Sequence, residues 1–238
     1  MPAWTFGKTK LGYGNLWRSA KIKGGADLSA ASKFARIIIA NEARYRGVSA
    51  LTRVPWYFIG ALHMRESGCD FRGVLHNGEK IIGKGKKTRL VPAGRGPFTS
   101  WEDAAVDALK MKNMHKVDPW SVERMAYHAE LFNGLGYTGK GVNSPYLWAG
   151  STQEQTGKYI ADHVWDKNFD DPQVGVMTVL KRLCELRPDI DAVLNGKFIS
   201  PPPDVAPVEK PVPVGPVPQP KPSEHWAKRL LKFLFGKR

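Results

Sequence analysis

A glutamate at the end of an apolar segment is the residue whose position most strongly indicates chemistry. Residues 56–64 are almost wholly apolar and are predicted to form a helix, and Glu66 follows them directly before Ser67 and Gly68. Apolar surroundings disfavour a carboxylate anion and a helix C-terminus carries partial negative charge, so both raise the pKa of such an acid. A carboxylic acid that stays protonated near neutral pH can protonate a glycosidic oxygen. The alternative is an ion pair between Glu66 and Arg65 or another base at the helix end.

The segments that must position this acid are predicted to be mainly helical. The apolar spacing and the capping residues predict five helices: one through residues 30–45 that ends before Gly47, one that starts with Pro55 and stops at Gly68, one from Ser100 through Leu109, one from Ser121 to about Phe132, and one from Pro172 to about Leu186 with Asp171 as its cap. Residues 73–98 are rich in glycine and lysine and are predicted to form a loop and a short hairpin. We therefore expect a helical body with a small loop and hairpin lobe.

The composition favours a polyanionic partner. The 238 residues contain 36 Lys and Arg against 22 Asp and Glu, which gives a net charge of +14. Such a charge suits nucleic acid, an anionic membrane surface or an acidic wall polymer. Cys69 and Cys184 are too few for a disulfide framework and are predicted to be buried thiols. The six histidines show no metal-ligand spacing and no phosphate-binding glycine motif is present, so we expect neither a metal nor a cofactor.

A change in composition near residue 200 predicts three parts: a catalytic body at residues 1–200, a linker at 201–222 and a tail at 223–238. Ten of the 18 prolines lie in the linker, which predicts an extended spacer without a packed core. In the tail, Ser223 can cap a short amphipathic helix that separates basic from apolar residues. Such a helix is typical of binding to anionic lipid, although docking on the body or on a partner is the alternative. The tail residues predicted to contact the membrane are Trp226, Lys228, Arg229, Leu230, Lys232, Phe233 and Leu234.

No segment approaches the roughly 20 apolar residues that a transmembrane helix needs. The first residues also lack a basic segment followed by an apolar core, so no standard signal peptide is visible. If the protein works outside the cytoplasm, we therefore expect another component to release it.

Four ordered blocks of residues resemble the lysozyme-like superfamily. They are residues 54–59, 75–78, 91–95 and 143–150, and together with the Glu-Ser-Gly end of the helix they span the resemblance from about residue 12 to 186. Goose-type lysozymes and soluble lytic transglycosylases are the nearer relatives, and the phage and bacterial proteins called "lysozyme family protein" are more similar still. The resemblance implies an α+β lysozyme-like fold in which the loop lobe flanks a substrate cleft.

The resemblance also implies site residues. Glu66 falls on the general acid of the family, and Glu79 lies on the loop that carries a second acid in goose-type enzymes, where it would activate water or stabilise positive charge on the sugar. The relatives more often carry Asp at the position of Glu79. The substrate-binding residues that we expect are Ser67, His76, Asn133 and Tyr137. The alternatives to substrate binding are turn formation for Ser67, helix capping for Asn133 and an aromatic position at the rim for Tyr137.

The leading hypothesis is a monomeric endolysin-type muramidase that cleaves peptidoglycan between N-acetylmuramic acid and N-acetylglucosamine. Such an enzyme is expected to be made in the host cytoplasm and to act on the cell wall after another component releases it. If the hydroxyl of the muramic acid attacks instead of water, the enzyme is a lytic transglycosylase with 1,6-anhydro products. Two non-enzymatic alternatives remain open at this point. One is a basic nucleic-acid-binding protein, although the absence of a recognisable nucleic-acid motif counts against it. The other is a membrane-disrupting protein in which the tail alone acts.

Overall fold

The computed structural model describes residues 4–161 and 164–196. The chain divides into two units, residues 1–199 and 200–238, and everything described belongs to the first. The predicted linker and tail helix therefore lie outside the described residues. The described part is mainly helical, as predicted, with one small antiparallel sheet. None of its helices has the length and apolar character needed to span a bilayer.

Two strands and nine α-helices are present in these two ranges, along with 3₁₀ turns at Met114–Lys116 and Thr138–Lys140. The helices are α1 Phe6–Ser19, α2 Ala26–Ala40, α3 Glu42–Thr52, α4 Trp56–Ser67, α5 Trp101–Met111, α6 Val122–Asn133, α7 Pro145–Trp148, α8 Val176–Leu186 and α9 Pro188–Asn195, and the strands are β1 Lys158–Ala161 and β2 Val164–Asp166.

Helix α4 is the centre of the core. Every residue from Trp56 to Met64 is buried, and α2, α3 and α8 pack around the helix. A helix that is apolar on all sides must be enclosed by other elements. One close approach occurs at Gly60, where a Cβ atom would lie 2.5 Å from Cγ2 of the buried Ile38. The absence of a side chain at Gly60 therefore lets α2 and α4 pack closely.

The helix predicted through residues 30–45 is two helices, and the prediction that it ends before Gly47 is wrong. Asn41 separates α2 from α3, with backbone angles outside the helical region and a side chain that donates to the Ile37 carbonyl at 2.9 Å. Gly47 lies inside α3 with open space around it. A side-chain hydrogen bond to the backbone, rather than a glycine, ends the first helix.

The start predicted for α8 is also wrong. The helix begins at Val176 after Gly175, four residues beyond the predicted start at Pro172. A Cβ atom at Gly175 would lie 2.2 Å from the Leu147 carbonyl oxygen, so this residue brings the backbone close to α7. Asp171 does not cap the helix. It accepts the Gln173 N–H at 3.0 Å and forms ion pairs instead.

The other predicted helices are confirmed. Helices α5 and α6 begin after Ser100 and Ser121, whose hydroxyls accept the N–H of Asp103 at 3.1 Å and of Arg124 at 3.3 Å. Helix α4 ends where Gly68 adopts a left-handed conformation with φ 64°, as expected for a glycine after a helix.

The hairpin predicted within residues 73–98 is wrong, although the loop is confirmed. Isolated hydrogen bonds join its two sides without a continuous ladder. The Gly83 N–H donates to the Phe98 carbonyl, the Thr88 N–H donates to the Arg95 carbonyl, and the Gly94 N–H donates to the Thr88 carbonyl. The sheet lies later in the chain, where Tyr159 on β1 pairs with Trp165 on β2.

A matched pair of glycine substitutions tests the packing of α4. We expect Gly60→Ala to lower the free energy of unfolding by about 1–3 kcal/mol, because the added methyl group collides with Ile38 in a closed core. Gly47→Ala should raise the free energy of unfolding by about 0.5–1 kcal/mol, because alanine is more favourable than glycine in the exposed interior of a helix. Urea unfolding of both variants checks this, and equal effects of the two substitutions would contradict it.

Candidate active site

Glu66 is positioned by the last turn of α4. The Gly68 N–H donates to the Met64 carbonyl at 2.9 Å and the Cys69 N–H donates to the His63 carbonyl at 3.3 Å, which closes the helix end. Cys69 and Cys184 are buried and form no disulfide, and the prediction of buried thiols is confirmed. The backbone at Glu66 is further fixed because Gly78 packs on it, and a Cβ atom at Gly78 would lie 2.3 Å from the Glu66 carbonyl oxygen.

Glu66 as a residue is half-buried, and its carboxyl group is closely surrounded by protein. Burial raises its pKa to about 7, and the opposing influences are a hydrogen bond from Tyr146 and the charges of Arg65 and Lys112. The Tyr146 hydroxyl donates to Oε1 of Glu66 at 2.7 Å. Tyr146 lies on α7 and is itself buried, and burial holds its pKa well above its ordinary value, so it remains a donor.

Arg65 does not pair with Glu66. Its guanidinium donates to Asp171 at 2.8 Å and to the Gln173 carbonyl at 2.9 Å, and it lies 4.9 Å from the centre of the Tyr146 ring. Lys158 contacts the same Asp171 carboxylate at 2.9 Å. Both side chains of the Arg65–Asp171 pair are buried, so the guanidinium is engaged by Asp171, and its charge only partly offsets the effect of burial on the pKa of Glu66.

Lys112 is a second cation near Glu66, and sequence reasoning missed it. It directly follows α5, its Nζ donates to the Phe132 carbonyl at the end of α6 at 3.3 Å, and it lies 5.1 Å from the centre of the Phe132 ring. Burial lowers the pKa of Lys112, and Glu66 opposes that change. No local pattern marks this lysine, because only the approach of α5, α6 and α4 brings it to the acid.

Glu79, the predicted second acid, is engaged by its own loop. Its carboxylate accepts the backbone N–H groups of Arg89 at 2.9 Å and Leu90 at 3.0 Å, and the side-chain amide of Asn77 at 3.2 Å. The adjacent Gly78 contacts the backbone of Glu66, so the loop does meet the end of α4. The hydrogen bonds of Glu79 hold residues 89–90 in place.

Ser67 and His76 are also engaged within the protein. The Ser67 hydroxyl donates to the carbonyls of His63 at 3.4 Å and Asp70 at 3.3 Å, which corresponds to the turn-forming alternative. His76 is buried, shares a hydrogen bond of 2.7 Å with Asp107 and stacks on Phe98. Burial lowers the pKa of His76, so a neutral ring that fastens the loop to α5 is favoured.

The two predicted binding residues after α6 differ in exposure. Asn133 ends α6 and is exposed, and it directly follows Phe132, whose carbonyl binds Lys112. Tyr137 is buried in an aromatic cluster with Tyr159 and Trp165, and its hydroxyl accepts the Tyr159 N–H at 3.2 Å. Asn133 is therefore the more accessible of the two for substrate. The predicted membrane-binding residues of the tail lie outside the described residues.

Among the described residues, no group of histidine, cysteine and acidic side chains is arranged to hold a metal ion. One surface pocket is lined by residues that include Glu154 and Asp171, and another by residues that include Tyr13 and Glu130. Glu66 lines neither of these two pockets. Comparisons with protein-family models, with curated proteins and with solved structures found no match.

Removing the Tyr146 hydroxyl tests the hydrogen bond to the acid. We expect Tyr146→Phe to raise the pKa of Glu66 further, by about half a unit to one unit, because the lost bond favours the ionised carboxylate. Carbon-13 NMR titration of the glutamate carboxyl groups measures this. Tyr127→Phe is the matched control, because the ring of Tyr127 packs on Phe6 and His128. A change of similar size in both variants would contradict the assignment.

The raised pKa also predicts how stability depends on pH. Between pH 4.5 and 7 the folded state binds the proton of Glu66 more tightly than the unfolded chain does, so ionisation of Glu66 destabilises the fold as the pH rises. Glu66→Gln removes that penalty. The variant should match the wild type below pH 4 and be more stable above pH 7 by about 3 kcal/mol. Denaturant unfolding across this range tests it, and a pH-independent difference would count against a raised pKa.

Proposed function

We propose that the chain cleaves the glycan strand of peptidoglycan at the β-1,4 bond between N-acetylmuramic acid and N-acetylglucosamine, with Glu66 as the proton donor. The observation that carries the proposal is the Glu66 carboxyl group, which is bound by Tyr146 and has a pKa of about 7. At neutral pH such a group is present in both protonation states, as a general acid that must give up its proton and regain it requires.

The surroundings of Glu66 suit both halves of this proton transfer. Before the transfer, burial favours the protonated carboxyl group by raising its pKa to about 7, and the nearby Arg65 is paired with Asp171 rather than with Glu66. After it, the new carboxylate keeps the hydrogen bond from Tyr146 and the favourable charge of Lys112. The leaving oxygen at C4 of N-acetylglucosamine takes the proton, while positive charge develops at C1 of the muramic acid.

The nucleophile decides between two kinds of enzyme. In a muramidase, water attacks C1 and a second carboxylate such as Glu79 takes its proton. In a lytic transglycosylase, the C6 hydroxyl of the same muramic acid attacks C1, and its proton returns to the carboxylate of Glu66. The three N–H groups bound by Glu79 favour the second route, which needs no second acid.

The resemblance to the lysozyme-like superfamily gains support from where its blocks lie. Residues 54–59 begin α4, residues 75–78 reach the Glu66 backbone through Gly78, and residues 143–150 supply Tyr146. Three segments far apart in the chain therefore meet at one acid. The positive charge of the body would draw it to the anionic wall polymer, and the tail would bind anionic lipid.

Product analysis of purified peptidoglycan tests the activity. We expect soluble muropeptides from the wild type and a loss of at least about 10²-fold with Glu66→Gln, because the amide has no proton to donate. Mass spectrometry then distinguishes 1,6-anhydro-muramic ends, expected for the transglycosylase, from reducing muramic ends, expected for the muramidase.

Glu79→Gln is the matched variant in the same assay. The amide oxygen can still accept N–H groups from the loop, so most of the activity should remain if Glu79 only holds the loop. Loss of cleavage with a correctly folded Glu79→Gln protein would instead restore Glu79 as the water-activating base. No cleavage by the wild type would refute the proposed activity.

A further inference from the structure

The loop at residues 84–91, named here the basic loop, concentrates positive charge on one exposed segment. Lys84, Lys86, Lys87 and Arg89 are all exposed, and no ion pair of these four side chains occurs within the described ranges. The chain has no acidic residue between Glu79 and Glu102. The site already described uses none of these four cations.

The basic loop ends in exposed apolar side chains. Leu90 is 60% exposed and Val91 is 88% exposed, directly after the cationic residues. A single exposed leucine is common on protein surfaces, but apolar side chains placed beside a cluster of cations are typical of segments that bind membrane interfaces. The cations attract anionic headgroups, and the apolar side chains enter the boundary with the acyl chains.

The loop is held in shape although it is exposed. Glu79 accepts the N–H groups of Arg89 and Leu90, and the Asn77 side chain donates to the Leu90 carbonyl at 3.2 Å. The Thr88 hydroxyl donates to the Pro92 carbonyl at 2.6 Å. A loop fixed in this way loses little conformational freedom on binding, which favours a role as a contact surface.

We propose that the basic loop is a docking site for an anionic lipid surface, separate from the predicted tail helix. Lipid fits better than nucleic acid, because the loop contains no aromatic side chain to stack on bases. It also fits better than a hydrated wall polymer, which offers no apolar phase for Val91. The proposal does not depend on the proposed glycosidase activity.

Neutralising the loop in the full chain tests this site. The loop variant carries Gln in place of four cations, Lys84, Lys86, Lys87 and Arg89. Its binding to vesicles of equal parts phosphatidylcholine and phosphatidylglycerol is measured by co-sedimentation. We expect a loss of at least about tenfold in partitioning, since each basic residue near an anionic surface contributes to binding. Neither the wild type nor the loop variant should bind vesicles of phosphatidylcholine alone through the basic loop.

A second set of four exposed cations provides the matched control. Changing Lys10, Lys21, Lys33 and Arg36 to Gln lowers the net charge by the same amount at another part of the surface. This variant should lose much less binding than the loop variant. Equal losses would overturn the proposal in favour of general charge attraction, and so would a loop variant that loses binding to duplex DNA but keeps its binding to vesicles.

Insertion of the apolar tip is measured separately. Val91→Cys is labelled with an environment-sensitive dye, and because Cys69 and Cys184 are buried, the new thiol is the accessible one among the described residues. We expect a blue shift of the emission with phosphatidylglycerol vesicles. The control is Leu51→Cys, at a residue that is 65% exposed on α3. No shift at residue 91, or the same shift at both positions, would refute the site.

Discussion

The ion pair between Arg65 and Asp171 is the interaction on which the candidate site depends. Arg65 directly precedes Glu66, and a guanidinium in that position would hold the acid ionised if it were free to pair with it. Asp171 instead takes this charge with both side chains buried, and Lys158 joins it from β1. The pair also ties the end of α4 to the sheet and to the segment before α8. One contact thus engages the cation next to Glu66 and fixes the elements around it.

The burial of α4 has a second consequence for the same acid. Because residues 56–64 are enclosed on all sides, the last turn of the helix emerges from the core with little water around it. The removal of water that accompanies packing is also the largest influence on the pKa of Glu66. Gly60 and Gly78 make this arrangement possible, since each lets a neighbouring segment approach α4 more closely than any side chain would allow.

Local patterns in the sequence predicted the parts of this arrangement that depend on local interactions. The apolar run, the stop at Gly68 and the serine caps of α5 and α6 depend on neighbouring residues, and those predictions are confirmed. Asp171 looked like a helix cap because it precedes Pro172, yet its partner lies 106 residues earlier. Tyr146 lies 80 residues beyond Glu66. Such pairings follow from tertiary packing and leave no periodicity in the sequence.

The carboxylate of Glu79 has a structural role in its own loop. This carboxylate fixes residues 89–90, and Asn77 and Gly78 beside it connect that loop to the backbone of Glu66. The exposed cations at residues 84–89 and the acid on α4 are thus joined through three consecutive residues. This arrangement gives Glu79 a structural reason to be present whether or not it takes part in catalysis.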